Sequence, residues 1–153
     1  MNAQNRKILI EIVTPYQHFF EGRVDYVVLS SLDGDFGIHG GHEPMVLALA
    51  PGLAHFSIDS KIRYAVLMEG YAEISPYVVL IVCNAAEWPE DIDVQRAQNA
   101  YNRALNRYRS VDISVQEKQY ARHSLRRAKM RLKLVAEYGS EKQKNLLSDY
   151  HSI

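Results

Sequence analysis

Residues 81–97, IVCNAAEWPEDIDVQRA, contain the point at which one structural pattern ends and another begins. The first three residues close an apolar run typical of a buried strand. The acidic residues Glu90, Asp91 and Asp93 favour the exposed N–H groups and the positive dipole at the start of a helix. Trp88 and Pro89 stand between the two patterns, so the stretch predicts two structural regions that meet near residue 88.

Residues 1–90 have the composition of a β-structure. They contain seven of the eight glycines and all five prolines. Short runs rich in β-branched and aromatic residues alternate with turn residues, as in a sandwich or a small barrel. These runs are KILIEIV (7–13), RVDYVVLSS (23–31), IRYAVLM (62–68) and YVVLIVC (77–83). We predict an antiparallel β-sandwich over residues 1–87.

Residues 88–138 show helical periodicity instead. Two apolar stripes recur at helical spacing, and each predicts an amphipathic helix. The stripes consist of Ala97, Ala100, Tyr101, Ala104, Leu105 and Tyr108, and of Ala121, Leu125, Ala128, Leu132 and Val135. Between them lies RSVDIS (109–114), and Ser114 with Glu117 has the spacing of a capping box. The short connection predicts an antiparallel two-helix hairpin, which makes the fold class α+β. We expect the polar tail, residues 139–153, to be disordered.

The chain is neutral overall but has two electrostatic halves. Residues 1–90 hold five Lys/Arg against eleven Asp/Glu, a net charge of −6, and residues 91–153 hold thirteen against seven, a net charge of +6. A basic half attracts phosphate groups, but it shows no stacking or base-reading motif, so we expect no nucleic-acid partner. No apolar run approaches the roughly 20 residues of a membrane-spanning helix, and we do not interpret MNAQNRK as a signal peptide.

The sequence does not predict catalytic residues. His39 and His42 lie in GIHGGHEP without clustered cysteines or carboxylates to complete a metal site. The glycines between Gly34 and Gly41 lack the spacing of a phosphate-binding P-loop. Cys83 lies in an apolar strand, where we expect a core residue in a protein of a reducing compartment. We therefore expect neither an enzyme acting alone nor a metal site.

Arginines follow both apolar stripes of the helical region. Arg96, Arg103 and Arg107 fall on one flank of the first stripe, and Arg127 and Arg131 fall together beside the second. Packing of the stripes would bring these flanks together, and guanidinium groups form charge-assisted, often bidentate hydrogen bonds with phosphate. Alternatively, the arginine stems cover the stripes and leave their charges in water. A second basic row on the opposite flank of the second helix consists of Arg122, Arg126, Lys129 and Lys133.

Two stretches resemble a known family. GDFGIHGGHEPMVLALAPG (34–52) resembles the G-[DE]-x-G-I-x-x-G-H-x-P segment of the epsilon subunit of bacterial rotary ATP synthases. Residues 81–97 resemble the strand, linker and first-helix start of the same family. The resemblance runs from about Lys7 to Glu137. Two departures are Gly40, where the family usually has proline, and a tail that extends past the usual end.

The resemblance implies a non-catalytic central-stalk subunit of the proton-translocating ATP synthase. The sandwich would contact the gamma subunit and the c-ring, and the hairpin would either stay compact or extend toward the catalytic alpha and beta subunits and inhibit ATP hydrolysis. The implied location is peripheral, at the cytoplasmic face of the bacterial membrane, with the ring and not this chain in the membrane. The ring-facing loop would include Asp35, His42, Glu43 and Pro44, for which a structural turn is the alternative. The second basic row would be the inhibitory surface, unless it is simply a solvated face.

Some bacterial members of this family bind ATP in the compact hairpin through an I-D-x-x-R-A motif and further arginines. Ile92, Asp93, Arg96 and Ala97 match that motif. The resemblance implies ATP as a regulatory ligand that favours the compact state, bound by Glu87, Asp93, Arg96, Arg103, Arg127 and Arg131. The two carboxylates would contact the adenine amino group or a ribose hydroxyl, or orient the arginines. The alternative function is a purely structural rotor-coupling subunit with a permanently packed hairpin and no nucleotide sensing.

Overall fold

The structure, a computed structural model, describes residues 6–147. The chain divides into two compact units, Met1–Glu87 and Trp88–Ile153. The division falls where the glycine- and proline-rich sequence gives way to helical periodicity. Strands make up the first unit and helices the second.

The first unit is a sheet of ten strands. They are β1 (Ile8–Val13), β2 (His18–Val24), β3 (Tyr26–Ser31), β4 (Gly34–His39), β5 (Met45–Leu49), β6 (Gly52–Ile58), β7 (Lys61–Leu67), β8 (Gly70–Ile74), β9 (Val78–Cys83) and β10 (Ala86–Glu87). Neighbouring strands follow the order β10-β7-β6-β3-β5-β8-β9-β1-β2, and β4 pairs with β3. Among the described strands, β1 and β9 run parallel and the other pairs are antiparallel. The β-sandwich prediction is confirmed, with this parallel pair as the departure from a wholly antiparallel arrangement.

The core of the first unit follows the two-residue period of its strands. In β1, Ile8, Ile10 and Ile12 are fully buried, whereas the residues between them are half-buried. Burial of each such side chain contributes about 1.5–3 kcal/mol relative to exposure. Across the interior, the rings of Phe20 and Phe56 stack with 5.6 Å between centroids. This packing joins β2 to β6, two strands that are distant in the order of the sheet.

Two glycines of this unit occupy positions where a larger residue would strain the backbone or clash with it. Gly34, the first residue of β4 after the turn from β3, has φ +117°, and its carbonyl accepts a 2.6 Å hydrogen bond from the Ser31 hydroxyl. Gly40 is buried, and a Cβ at this position would lie 2.1 Å from the carbonyl oxygen of Arg6. The close passage of the N-terminal segment therefore explains glycine, and excludes proline, at position 40.

The second unit contains a short 3₁₀ turn, Pro89–Asp91, and three helices: α1 (Val94–Arg109), α2 (Val115–Tyr138) and α3 (Glu141–Leu146). The predicted stripes are confirmed, because Ala97 and Ala104 of α1 and Ala121, Ala128 and Leu132 of α2 are buried. Contacts between α1 and α2 make them a hairpin. Within residues 6–147, no helix combines the length and apolar character that crossing a bilayer requires.

The predicted capping box at the start of α2 is present. The Ser114 hydroxyl accepts a hydrogen bond from the Glu117 amide at 3.1 Å, and Oε2 of Glu117 accepts one from the Ser114 amide at 2.9 Å. These bonds satisfy donors that a helix start leaves without intrahelical partners. The turn between the helices is therefore fixed on its α2 side.

The tail differs from the expectation of disorder in its described part. Ser140 and Gln143 form a second capping box, which starts α3. The Gln143 amide group donates to the carbonyls of Pro89 at 2.7 Å and Ile92 at 3.2 Å, and the Gln98 amide group donates to the carbonyl of Leu146 at 3.1 Å. Composition favoured disorder, but local capping and these tertiary bonds order the segment. The rest of that prediction, residues 148–153, lies outside the described residues.

Candidate functional site

An open cleft of about 480 Å³ lies between α1 and α2. Its floor consists of small residues, Ala100, Ala104, Ala121 and Ala128, three of which are buried. Alanines on both helices leave room that larger side chains would fill. Its rim carries Arg103, Arg107, Glu117, Tyr120, Ser124, Arg127 and Arg131. The cleft thus combines space between two helices with four guanidinium groups.

Both helices supply arginines to this rim because of helical periodicity. Arg103 and Arg107 are one turn apart on α1, as are Arg127 and Arg131 on α2, so each pair lies on one face of its helix. The α1 pair is exposed and the α2 pair is half-buried. Nη2 of Arg127 lies 3.4 Å from the hydroxyl of Ser124 and donates to it, across one turn of α2.

One carboxylate lies among these arginines. Nη2 of Arg107 forms an ion pair with Oε1 of Glu117 at the end of the cleft near the helix connection. The pKa of Glu117 is lowered, first by the hydrogen bonds from the Ser114 amide and hydroxyl and then by the nearby Arg107. Glu117 is therefore held as a carboxylate at this end of the cleft.

The predicted ATP-binding residues are distributed over three places. Arg103, Arg127 and Arg131 come together in the cleft. Asp93 is the N-cap of α1, and its Oδ1 accepts from the Arg96 amide at 3.0 Å, which gives the carboxylate a structural role. Arg96 is exposed one turn before the alanine floor begins, and Glu87 is the last residue of the first unit, in β10.

Sequence reasoning placed Arg107 beside its stripe without assigning it to the site, and it missed Glu117, Tyr120 and Ser124 as site residues. Periodicity defines one helix at a time, whereas these assignments require the alignment of two helices. The short connection was the usable signal, because it aligns the last turn of α1 with the first turn of α2 in a hairpin.

The second basic row lies on α2. Arg122 places its Cζ 5.8 Å from the centre of the Tyr108 ring, and its Nη2 lies 3.4 Å from the Tyr108 hydroxyl. That hydrogen bond and the charge of Arg122 lower the pKa of Tyr108. Arg126, Lys129 and Lys133 are exposed, and the two lysines line a groove of about 470 Å³ near the end of α2. The row spans about 17 Å at 1.5 Å per residue.

The predicted ring-facing residues occupy a strand and a loop. Asp35 lies in β4 and accepts a 3.2 Å hydrogen bond from the Ser30 hydroxyl. His42, Glu43 and Pro44 lie in the loop after β4, where Nδ1 of His42 is 2.7 Å from the Glu43 carbonyl. The His42 ring also packs edge-on against Phe36, with 5.6 Å between centroids. These contacts give the loop a defined shape, while Glu43 and Pro44 are exposed.

The histidines and the cysteine of the first unit have structural surroundings. His39 packs against Tyr26 with 5.4 Å between ring centroids, away from the His42 contact. In the part of the chain that the structure describes, no group of three or more His, Cys, Asp or Glu residues is placed to hold a metal ion. Cys83 is buried, and burial raises the pKa of its thiol to about 11.

Comparison with known families accounts for both units. Residues 7–89 match the family described as ATP synthase, Delta/Epsilon chain, beta-sandwich domain, and residues 90–136 match its long alpha-helix domain. The chain belongs to the ATP synthase delta/epsilon family. The matched region ends within α2, so α3 lies beyond it.

Relatives in this family are bacterial ATP synthase epsilon chains. The protein of Caldanaerobacter subterraneus subsp. tengcongensis is 37% identical over 130 residues, which cover 84% of this chain and 94% of the relative. That of Caldicellulosiruptor bescii is 36% identical over 132 residues, which cover 86% and 96%. The chain therefore matches epsilon chains over almost their whole length, and the resemblance inferred from the sequence is confirmed.

Solved structures share the fold at lower identity. A chain of the Euglena gracilis mitochondrial ATP synthase, in a structure of OSCP, F1 and the c-ring, aligns with TM-score 0.70 and 22% identity over 80% of this chain and 78% of its own length. A chain of the Tetrahymena thermophila mitochondrial ATP synthase, in a structure of the central stalk and c-ring, aligns with TM-score 0.55 and 12% identity, covering 85% and 97%. These similarities show the fold of the chain.

Proposed function

We propose that the chain is a non-catalytic rotor subunit that couples the gamma subunit to the c-ring of a bacterial proton-translocating ATP synthase. Its family and its epsilon-chain relatives support this assignment. The named assemblies of the structural neighbours, which include a central stalk and c-rings, support the same partners. The proposed location is peripheral, at the cytoplasmic face of the membrane. The loop His42–Pro44, with Asp35 nearby in sequence, is the proposed ring-facing surface.

The second part of the proposal is that the compact hairpin binds ATP, and the arginine-lined cleft is the observation that supports it. Four arginines from two helices surround a floor of alanines. Such a rim offers several charge-assisted hydrogen bonds to a polyphosphate. Arg103, Arg127 and Arg131 are the proposed phosphate ligands. Arg96 and the carboxylates of Asp93 and Glu87 are the proposed contacts to the rest of the nucleotide.

The walls of the cleft belong to both helices, and this allows ATP to act as a regulator. A site that exists only when α1 and α2 are packed binds its ligand in the compact state alone. Bound ATP therefore shifts the population toward that state. When ATP falls, the helices separate, extend toward the alpha and beta subunits, and inhibit hydrolysis. The basic row Arg122, Arg126, Lys129 and Lys133 is the proposed inhibitory surface, where it would meet an acidic segment of a catalytic subunit.

Nucleotide binding is tested with the isolated full chain. ATP is titrated while calorimetry and the fluorescence of Trp88, the single tryptophan, are recorded. Arg103→Ala and Arg127→Ala should each weaken binding by roughly 10- to 100-fold, because each removes charge-assisted hydrogen bonds. Arg109→Ala is the matched control, since Arg109 is exposed on α1 and does not line the cleft. Equal affinity in all three variants would refute the assigned site.

Regulation is tested in the assembled synthase. Deletion of residues 88–153 should leave assembly and coupling intact and should raise ATP hydrolysis, since the compact units divide at this point. Charge removal at Arg122 and Lys133 should also relieve inhibition without a change in ATP affinity. If hydrolysis is the same with and without the helical unit, the chain is a purely structural rotor-coupling subunit.

A further inference from the structure

Arg107 and Glu117 form an ion pair that closes one end of the cleft. Arg107 lies in the last turn of α1 and Glu117 in the first turn of α2, so the pair bridges the helices next to their connection. Both residues also line the cleft. A ligand in the cleft therefore meets this pair at the end near the helix connection.

Glu117 is oriented by two different sets of contacts. Its Oε2 accepts hydrogen bonds from the amide and the hydroxyl of Ser114, at 2.9 and 3.0 Å. Its Oε1 is thereby directed to the guanidinium of Arg107. The capping box thus positions a carboxylate within the cleft, where the described lining residues include four arginines and no other acid.

The pair is exposed enough to exchange partners. The side chain of Arg107 is 57% exposed and that of Glu117 is 44% exposed. Exposed ion pairs add little to stability, so replacing the carboxylate by a phosphate oxygen at Arg107 costs little. The exchange also replaces the Glu117 carboxylate with a phosphate beside the same guanidinium, so the positive charge of Arg107 stays paired.

The direction of a bound nucleotide follows from the proposed function. Asp93 and Arg96, the proposed contacts to the nucleoside part, lie at the start of α1, and Arg107 lies in its last turn. About 17 Å of helix separates positions 96 and 107, and the phosphate chain would run along it past Arg103. The terminal phosphate is then the group nearest Arg107.

We infer that Arg107 is the residue that distinguishes a nucleoside triphosphate from a diphosphate, with Glu117 as its internal competitor. This inference rests on the proposed nucleotide site. A triphosphate reaches Arg107 and displaces the Glu117 carboxylate, whereas a diphosphate leaves the ion pair in place. The discrimination therefore depends on the Arg107 guanidinium, which pairs with Glu117 in the free chain and with the terminal phosphate when a triphosphate is bound.

The test compares ATP with ADP in calorimetric titrations of the full chain. Arg107→Ala should weaken ATP binding about tenfold, as expected for loss of a charge-assisted hydrogen bond, and leave ADP binding unchanged. Glu117→Gln should strengthen ATP binding roughly two- to fivefold, because the competing charge is removed, again without effect on ADP. Glutamine also serves at this position of a capping box, so α2 keeps its start. Arg109→Ala, two residues along α1 and outside the cleft, is the control.

A double-mutant cycle with Arg107→Ala and Glu117→Gln completes the test. The two substitutions should be non-additive for ATP and additive for ADP, since the residues compete only when the terminal phosphate is present. Far-UV circular dichroism of each variant verifies that the helices remain folded. Equal changes in ATP and ADP affinity would overturn this inference and leave the nucleotide site standing. If the unaltered chain binds neither nucleotide, the proposed nucleotide site fails together with the inference.

Discussion

The bonds between α3 and the start of α1 make a quantitative prediction for Gln143→Ala. The side-chain amide of Gln143 donates to the carbonyls of Pro89 and Ile92, and its Oε1 accepts from the Ser140 amide at 2.9 Å. Alanine removes all three bonds but keeps the backbone amide that binds the Ser140 hydroxyl. The substitution therefore disconnects α3 from the 3₁₀ turn without removing its N-cap.

The magnitude follows from the two bonds that reach across the fold. Each intramolecular hydrogen bond contributes about 0.5–1.5 kcal/mol net, which gives about 1–3 kcal/mol for the pair. If these bonds limit the local opening of residues 89–98, their loss should accelerate amide exchange there by roughly 5- to 150-fold. The amides of Ile92 and Ala97, which donate to Pro89 and Asp93, report this opening.

Hydrogen exchange followed by NMR on the full chain without nucleotide measures the effect. Gln119→Ala is the matched control, because Gln119 is an exposed glutamine of α2. Amides of the first unit, such as that of Phe56, should exchange at the same rate in all variants. Unchanged exchange at Ile92 and Ala97 in Gln143→Ala would refute the view that α3 holds the start of the hairpin.

Three further predictions concern single residues. Gly40→Ala should destabilise the first unit by about 1–3 kcal/mol in urea unfolding, because its Cβ would meet the carbonyl of Arg6 at 2.1 Å, whereas Gly37→Ala, with its nearest atom at 4.0 Å, should have a much smaller effect. Cys83, buried and with a thiol pKa of about 11, should resist alkylation at neutral pH until the chain is unfolded, and rapid labelling of the native chain would contradict this. Because the hydrogen bonds from Ser114 and the charge of Arg107 hold the folded pKa of Glu117 below its ordinary value, Glu117 stabilises the hairpin above that ordinary pKa and loses this effect as the pH falls through the lower folded pKa. Thermal unfolding from neutral to acidic pH should show this loss in the unaltered chain and not in Glu117→Gln.

The strands and the two long helices were largely predictable from local patterns. Alternation in runs such as KILIEIV indicated strands, and the stripes through Ala97 and Ala121 indicated the two long helices. The capping box at Ser114 was also readable, since its signal lies within four residues. Each of these features depends on neighbours in the sequence.

Features that depend on distant residues were not predicted. The parallel pairing of β1 with β9 has no local signature, because a strand has the same two-residue period in either direction. The pairing of Arg107 with Glu117 requires the alignment of two helices. The α3 helix had a readable cap at Ser140, but the polar composition of the tail outweighed that signal. Asp93 was expected among the acids at the start of the first helix, but its place as the N-cap was not singled out, and periodicity could not show that Arg96 does not line the cleft.

The parallel pairing of β1 with β9 also determines when the first unit can finish folding during synthesis. Leu9 pairs with Val78, and Val13 pairs with Val82, so β1 leaves the ribosome long before its partner exists. Until then β1 can pair only with β2, and its other edge stays open to wrong partners. Contacts this distant in sequence slow folding, since a long loop must close before they form. Only the short β10 separates β9 from the helical unit, which begins at Trp88, and the synthesis of that unit thus gives the sandwich time to close.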